Sequence, residues 1–239
     1  MVNARVVPCR RASTTLLPMD DPIQVALFDL DGTISDSGQG IINGIKFALN
    51  KIDVRVPEDH DWVRYLGPPL RDCFVDFLGL PDDEVDAAID AYVEYYRNGG
   101  MYENELYPGI PGLLDALHEA GLTMAVATSK RRFMADGILE HFGLRSNFAA
   151  VGGADPDGAN GRKHEVIERM LEQLGVEHDD RCHVVMIGDR EHDILGASGL
   201  GLRTIGVRWG YAEPGELERA GADDVVDTID ELRSLLLPR

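Results

Sequence analysis

Short apolar runs separated by amphipathic stretches dominate the chain from residue 25 onward. Four of them, Val25–Phe28, Thr123–Ala127, Val184–Ile187 and Thr204–Val207, are brief, mostly β-branched, and apolar on both faces. That pattern suits strands covered on both sides in a parallel sheet. Phe148–Val151 is a weaker run, and Val225–Val226 reads as an edge strand. Between the runs, apolar residues recur at helical spacing over Gly112–Glu119, Arg131–Phe142, Glu165–Leu174, Asp193–Gly199 and Ile229–Leu236. Alternating strand and helix predicts an α/β fold, a doubly wound, mostly parallel sheet with a Rossmann-like core.

One region breaks the alternation. From about Ser37 to Leu106 no strand stands out, and Gly40–Asn50, Asp59–Tyr65, Leu70–Phe77 and Asp82–Tyr96 all read as amphipathic helices. Asp82, Asp83 and Glu84 give the last of these an acidic first turn, which favours the helix dipole. The spacing therefore predicts a four-helix cap over 37–107, inserted after the first strand of a core made of 23–36 and 108–239. Residues 1–22 are expected to be a poorly ordered basic extension, because 1–19 hold Arg5, Arg10 and Arg11 and no acid.

Composition narrows the function classes. In 239 residues there are 42 acidic and 23 basic side chains, a formal charge of −19. Such a chain lacks the basic face that nucleic acid or anionic lipid requires. No apolar stretch is long enough to span a membrane. The three cysteines, Cys9, Cys73 and Cys182, are widely spaced and form no CxxC pair. That argues against a zinc cluster or a disulfide framework and fits a reducing cytoplasm. The expected partner is a small molecule, taken up by a monomer or small homo-oligomer.

The chemistry concentrates at strand ends. The first strand runs into Asp29-Leu30-Asp31-Gly32-Thr33, a pattern that arises by chance at about 10⁻⁵ per position. Residues two apart on an extended chain point the same way, so Asp29 and Asp31 face one site and Leu30 the core. Two carboxylates so close require a cation or a shared proton. The second strand ends in Thr128-Ser129-Lys130, where a hydroxyl and free amides can hold a phosphate oxygen or cap a helix. Lys163 opens a helix, a position cations ordinarily avoid. The run Gly188-Asp189-Arg190-Glu191-His192-Asp193 follows a buried strand. Hard carboxylate oxygens suit Mg²⁺ better than zinc.

These four signals, in this order, resemble the motifs of the haloacid dehalogenase superfamily of phosphatases. The likeness covers roughly 23–237. Asp189–Asp193, the segment Leu66-Gly67-Pro68-Pro69-Leu70-Arg71 and Gly206-Val207-Arg208-Trp209-Gly210-Tyr211 look like its phosphoglycolate phosphatase and bacterial 5′-nucleotidase branch. The third motif reads Lys163-His164, where many members have Lys-Pro.

The resemblance implies a Mg²⁺-dependent phosphomonoesterase working through an aspartyl-phosphate. Asp29 is then the nucleophile and Asp31 the acid and base. Mg²⁺ is held by Asp29, the Asp31 carbonyl and Asp189. Thr128, Ser129 and Lys163 bind the phosphoryl group, and Asp193 orients Lys163 or a metal-bound water. Gly67, Pro68 and Arg71 are candidates for reading the leaving group, with a nucleoside monophosphate or phosphoglycolate as the expected substrate. A β-phosphoglucomutase-like phosphomutase and a catalytically idle binding protein on the same fold are the alternatives. A dehalogenase has no need of Asp31, and a receiver-like signalling domain lacks the helical insertion.

Overall fold

A computed structural model describes residues 22–57 and 59–237. Apart from Pro22, the extension expected over 1–22 lies outside the described residues. The first strand, β1 (Val25–Phe28), is followed by the two-residue β2 (Ser35–Asp36). A helical insert comes next, containing α1 (Gly38–Lys51), a short α2 (Leu70–Asp72) that widens into a π-helical turn over Cys73–Phe77, and α3 (Asp82–Arg97). The chain returns through β3 (Glu105–Leu106) and α4 (Ile110–Glu119). It then alternates: β4 (Thr123–Arg131), α5 (Arg132–His141), β5 (Ala150–Ala154), α6 (Lys163–Leu174), β6 (Val184–Gly188), α7 (Glu191–Ser198) and β7 (Arg203–Val207). Last come α8 (Glu216–Arg219), β8 (Asp224–Val226) and α9 (Ile229–Leu236).

Six strands form one sheet in the order β5-β4-β1-β6-β7-β8. Every pairing in it is parallel. The α/β doubly wound fold expected from the hydrophobic pattern is the fold found. The alternation along β1 explains the layers. Ala26 and Phe28 pack on one face with Leu113 and Leu117 of α4 and Leu232 of α9. Val25 and Leu27 pack on the other with Val166, Ile167 and Met170 of α6 and Ala197 of α7. Because β1 is buried on both faces and both edges, its carboxyl end is fixed in position. Strand order reverses between β1 and β6, and open α/β sheets bind ligands at such a point.

The insert has its own apolar cluster. Ile45 and Leu49 of α1 cluster with Val85, Ile89 and Tyr92 of α3 and with Phe74, and Met134 of α5 joins them. Two readings of this region change. Asp59–Tyr65 is not a helix; only Val63–Tyr65 makes a single 3₁₀ turn. A segment of seven residues is too short to hold a helix unaided, and here His60, Trp62 and Tyr65 pack ring against ring instead. Ser35–Asp36 and Glu105–Leu106 do pair, antiparallel, at the neck of the insert. Elements of two residues show no alternation for a sequence pattern to reveal.

Candidate active site

Asp29 is the first residue beyond β1. Its amide still donates to Ile187 O of β6 at 2.9 Å, so the backbone enters the site under sheet control. The residue is only 4% exposed. Asp189, just past β6, and Asp193, in the first turn of α7, are wholly buried. One carboxylate oxygen from each of Asp29, Asp189 and Asp193 lies within 4.8 Å of the others. Burial, opposed by Lys163, raises the Asp29 carboxyl to about 6. Burial, together with Asp193 and Asp29, raises that of Asp189 well above the usual carboxylate range.

Lys163 offsets this concentration of charge. Its ammonium lies 2.9 Å from Asp29 Oδ1 and 2.7 Å from Asp193 Oδ1. Burial opposes that charge, but Asp193 and Asp29 outweigh it and raise the lysine above its ordinary value. Its hydrogen bond goes to the carbonyl of Ala127, at 3.0 Å. The helix start tolerates the cation because the Glu165 carboxylate caps the Arg162 amide at 3.2 Å. Asp193 does two jobs: Oδ2 accepts from the Arg190 amide at 3.1 Å and caps α7, while Oδ1 meets Lys163.

The donor set fits a hard divalent cation. It consists of carboxylate oxygens with no sulfur or imidazole, the kind of site Mg²⁺ and Ca²⁺ favour. Apart from the Lys163 ammonium, the buried Asp29 Oδ1 and Asp193 Oδ1 have no partner among the described residues, so each has charge compensation but spare accepting capacity. Asp189 is held from outside. Its Oδ2 accepts from the Tyr211 amide at 2.8 Å and its Oδ1 from Thr33 Oγ1 at 3.2 Å. Two glycines make room for it. A Cβ on Gly32, where φ is +82°, would lie 2.2 Å from Asp189 Oδ2, and one on Gly210 would lie 2.4 Å from it.

Asp31 faces the same cleft as Asp29, but its carboxylate is held differently. Oδ2 lies 2.9 Å from the buried ammonium of Lys130, and Ser37 Oγ donates to Oδ1 at 2.5 Å. Lys130 also donates to Tyr96 Oη at 3.5 Å and sits 4.9 Å from the centre of that ring. Tyr96 stacks on Tyr92 within α3. The Asp31 carboxylate is thereby tied to the helical insert. Burial opposes the charge on Lys130, but Asp31 and Tyr96 keep it protonated.

Thr128 and Ser129, near the end of β4, line the cleft with Asp29 and Asp31. Thr128 is buried, and its hydroxyl accepts from the Lys130 amide at 3.3 Å. Gly67, Pro68 and Arg71 border the cleft from the insert. Gly67 lies against Arg190, whose guanidinium donates to Leu66 O and pairs with Glu216 Oε1 at 2.8 Å. The Arg71 guanidinium is committed to Asp86, with Asp82 at 3.9 Å.

All ten sequence-selected residues thus converge on one cleft or its walls. Sequence reasoning gave no role to Lys130, although it stood in the quoted Thr128-Ser129-Lys130. Tyr211 was quoted too, but nothing in the sequence showed that its amide grips Asp189 or that its hydroxyl takes the Gly38 amide at 2.7 Å and reaches Asp36 Oδ1 at 2.8 Å. Ser37 carried no signal.

Comparison with known proteins places this site in context. A family model described as haloacid dehalogenase-like hydrolase matches residues 26–207. A 5′-nucleotidase of Pseudomonas aeruginosa is 40% identical over 191 residues, covering 80% of this chain and 85% of that protein. A protein of Mycobacterium tuberculosis named tyrosine-protein kinase PtkA is 39% identical over 229 residues, covering 95% of this chain and 76% of that protein. Among solved structures, a predicted phosphatase from Clostridium acetobutylicum superposes with a TM-score of 0.83 at 39% identity, covering 90% of this chain and 98% of that one.

Proposed function

The chain belongs to the haloacid dehalogenase-like hydrolases, and on that footing we propose that it hydrolyses a small phosphomonoester through a phosphorylated Asp29, with Mg²⁺ as its cofactor. The observation that carries this reading is the buried grouping of Asp29, Asp189 and Asp193, with Lys163 paired to Asp29 and Asp193 and Asp31 facing the cleft that Asp29 lines.

Mg²⁺ would be held by Asp29, Asp189 and the Asp31 carbonyl, with Asp193 beside it, and would reduce the repulsion between the nucleophile and a dianionic substrate. The chain's own groups do the rest. An oxygen of Asp29 forms a bond to phosphorus as the ester P–O bond breaks. The departing oxygen takes a proton from the Asp31 carboxyl. Asp31, now a carboxylate, removes a proton from water, which attacks the phosphoryl-aspartate. Inorganic phosphate leaves, Asp29 is restored, and Asp31 regains its proton. Thr128, the Ser129 amide and Lys163 hold the phosphoryl oxygens as their charge shifts. The helical insert serves as a cap that shields this chemistry from water and reads the leaving group. Nucleosides and glycolate are the leaving groups that the sequence motifs and the nucleotidase relative suggest.

A second reading shares the first half-reaction and differs in the acceptor. The likeness to a protein named tyrosine-protein kinase favours transfer of the phosphoryl group to a hydroxyl other than water, and a sugar phosphomutase works by that logic too. Asp29→Asn and Asp31→Asn test the shared chemistry. Asp29→Asn should abolish turnover, and Asp31→Asn should slow it sharply while substrate still binds. Near wild-type activity in folded Asp29→Asn contradicts the nucleophile. Release of inorganic phosphate in step with substrate loss separates hydrolysis from transfer.

A further inference from the structure

The cleft extends beyond the phosphoryl site toward a wall with mixed character. Ile41, Ile89, Tyr92 and Met134 supply an apolar side, while Arg131, Asp157 and Gly158 form the other. Three cations border this space, and two are already occupied. Lys130 is paired with Asp31, and Arg71 with Asp86 and Asp82. Arg131 is different. Among the described residues its guanidinium forms no hydrogen bond or ion pair, and this half-buried group rests against Gly158. In a chain carrying −19, a cation turned into a cleft with no described carboxylate at ion-pair distance calls for an explanation.

We propose that Arg131 seats a second anionic group on the leaving-group side of the substrate, so that the preferred esters carry a carboxylate or a second phosphate there. The inference rests on the phosphatase reading and narrows its substrate class. Arg131 lies two residues beyond Ser129, at the end of an irregular stretch of β4 between Ala127 and Arg131, and lines the same cleft as Thr128 and Ser129. An ester whose phosphoryl group is held by Thr128 and Ser129 therefore has its leaving group alongside this side chain. A planar guanidinium fork matches a carboxylate or phosphate in two parallel hydrogen bonds. The electrostatics agree. Burial lowers the guanidinium's hold on its proton, Asp90 and Asp157 oppose this, and Arg97 and Arg71 add to the lowering. The remaining imbalance is one that a bound anion removes. A neutral nucleoside would leave the Arg131 guanidinium without a directly bonded anion.

Matched esters test the idea. The probes are 2-phosphoglycolate and propane-1,3-diol bisphosphate, which carry a carboxylate or a phosphate on the leaving group, and 2-hydroxyethyl phosphate, which carries neither. In the wild type, kcat/KM for one or both anionic esters should exceed that for the neutral ester at least tenfold, and which anion wins identifies the group recognised. In Arg131→Gln that ratio should collapse to within about threefold of unity, as expected for loss of a charge-assisted pair. Arg131→Lys, which keeps charge without the fork, should give an intermediate ratio and serves as the second variant if Arg131→Gln does not fold. A wild-type enzyme that cleaves the neutral ester as well as the anionic ones overturns the role of Arg131 and leaves the phosphatase reading standing. A ratio unchanged in both variants does the same. If none of the three esters, nor a nucleoside monophosphate, is cleaved, the phosphatase reading fails and takes this inference with it.

Discussion

Lys163→Met removes the one cation that, among the described residues, lies within ion-pair distance of both Asp29 and Asp193, at 2.9 and 2.7 Å. Methionine keeps most of the aliphatic stem, so the loss is chiefly one of charge. Breaking a buried ion pair on one side leaves an uncompensated charge and costs about 3–5 kcal/mol. At about 2–4 °C of melting temperature per kcal/mol for a chain of this size, the variant should melt about 6–20 °C below wild type at pH 8 without divalent cation. The pH dependence has a definite sign. Asp29 already sits near 6, because burial outweighs the attraction of Lys163. Without Lys163 it rises further, so the folded variant binds protons that the unfolded chain does not. Stability then grows as pH falls, and the deficit should narrow between pH 8 and pH 5. Added Mg²⁺ should recover more melting temperature in Lys163→Met than in wild type, since it supplies the missing positive charge. Differential scanning calorimetry at pH 8 and pH 5, with EDTA and with Mg²⁺, reads all of this. A loss below 2 °C at pH 8, or a deficit that widens on acidification, refutes the assignment of Lys163 as the group that offsets these carboxylates.

Other consequences follow from the same geometry. Chelation with EDTA should abolish turnover, and Mg²⁺ should restore it; equal activity in both conditions removes the metal from the account. Lys130→Met removes the contact that fixes the Asp31 carboxyl in place, so kcat for alkyl phosphates should fall about 10–100-fold, within the usual reach of general acid catalysis. Turnover of 4-nitrophenyl phosphate, whose leaving group needs little protonation, should fall much less; equal losses contradict a positioning role for Lys130. Glu216 accepts from Arg190 and from the amides of Glu191 and Glu213. Although burial pushes its carboxyl up, these donors outweigh it and hold the group below its ordinary value. That stabilisation is present above the unfolded value and is lost as pH falls through the folded one. Glu216→Gln should therefore melt several degrees lower at pH 7.5, with the gap closing toward pH 4 in a thermal melt.

Much of this molecule was legible in its sequence because the physics concerned is local. β1 is apolar on both faces, so burial on both sides follows from composition alone, and its carboxyl end fixes where Asp29 must be. Lys163 at a helix start contradicted the dipole preference, and the contradiction pointed to the buried acids it serves. What stayed hidden depends on contacts across long separations. Nothing near Lys130 in sequence announces Asp31, nearly a hundred positions away, and nothing near Tyr211 announces Asp189. The helix expected over Asp59–Tyr65 had the right periodicity, but aromatic packing among His60, Trp62 and Tyr65 decided its backbone. Arg71 illustrates the same limit. Its sequence context next to Pro68-Pro69 suggested a substrate contact; it does border the cleft, but its guanidinium is paired with Asp86 and Asp82, and of the three cations on the cleft Arg131 is the one with no carboxylate at ion-pair distance among the described residues.

The covalent step at Asp29 is the centre of the account, and a rapid acid quench reads it directly. Asp31→Asn protein is mixed with Mg²⁺ and a phosphomonoester, quenched, digested and mapped by mass. The account predicts a hydroxylamine-sensitive phosphoryl group on the peptide containing Asp29, more abundant than in wild type because Asp31 is no longer there to activate water. Substrate hydrolysis with no phosphoryl group on that peptide, in either protein, contradicts it.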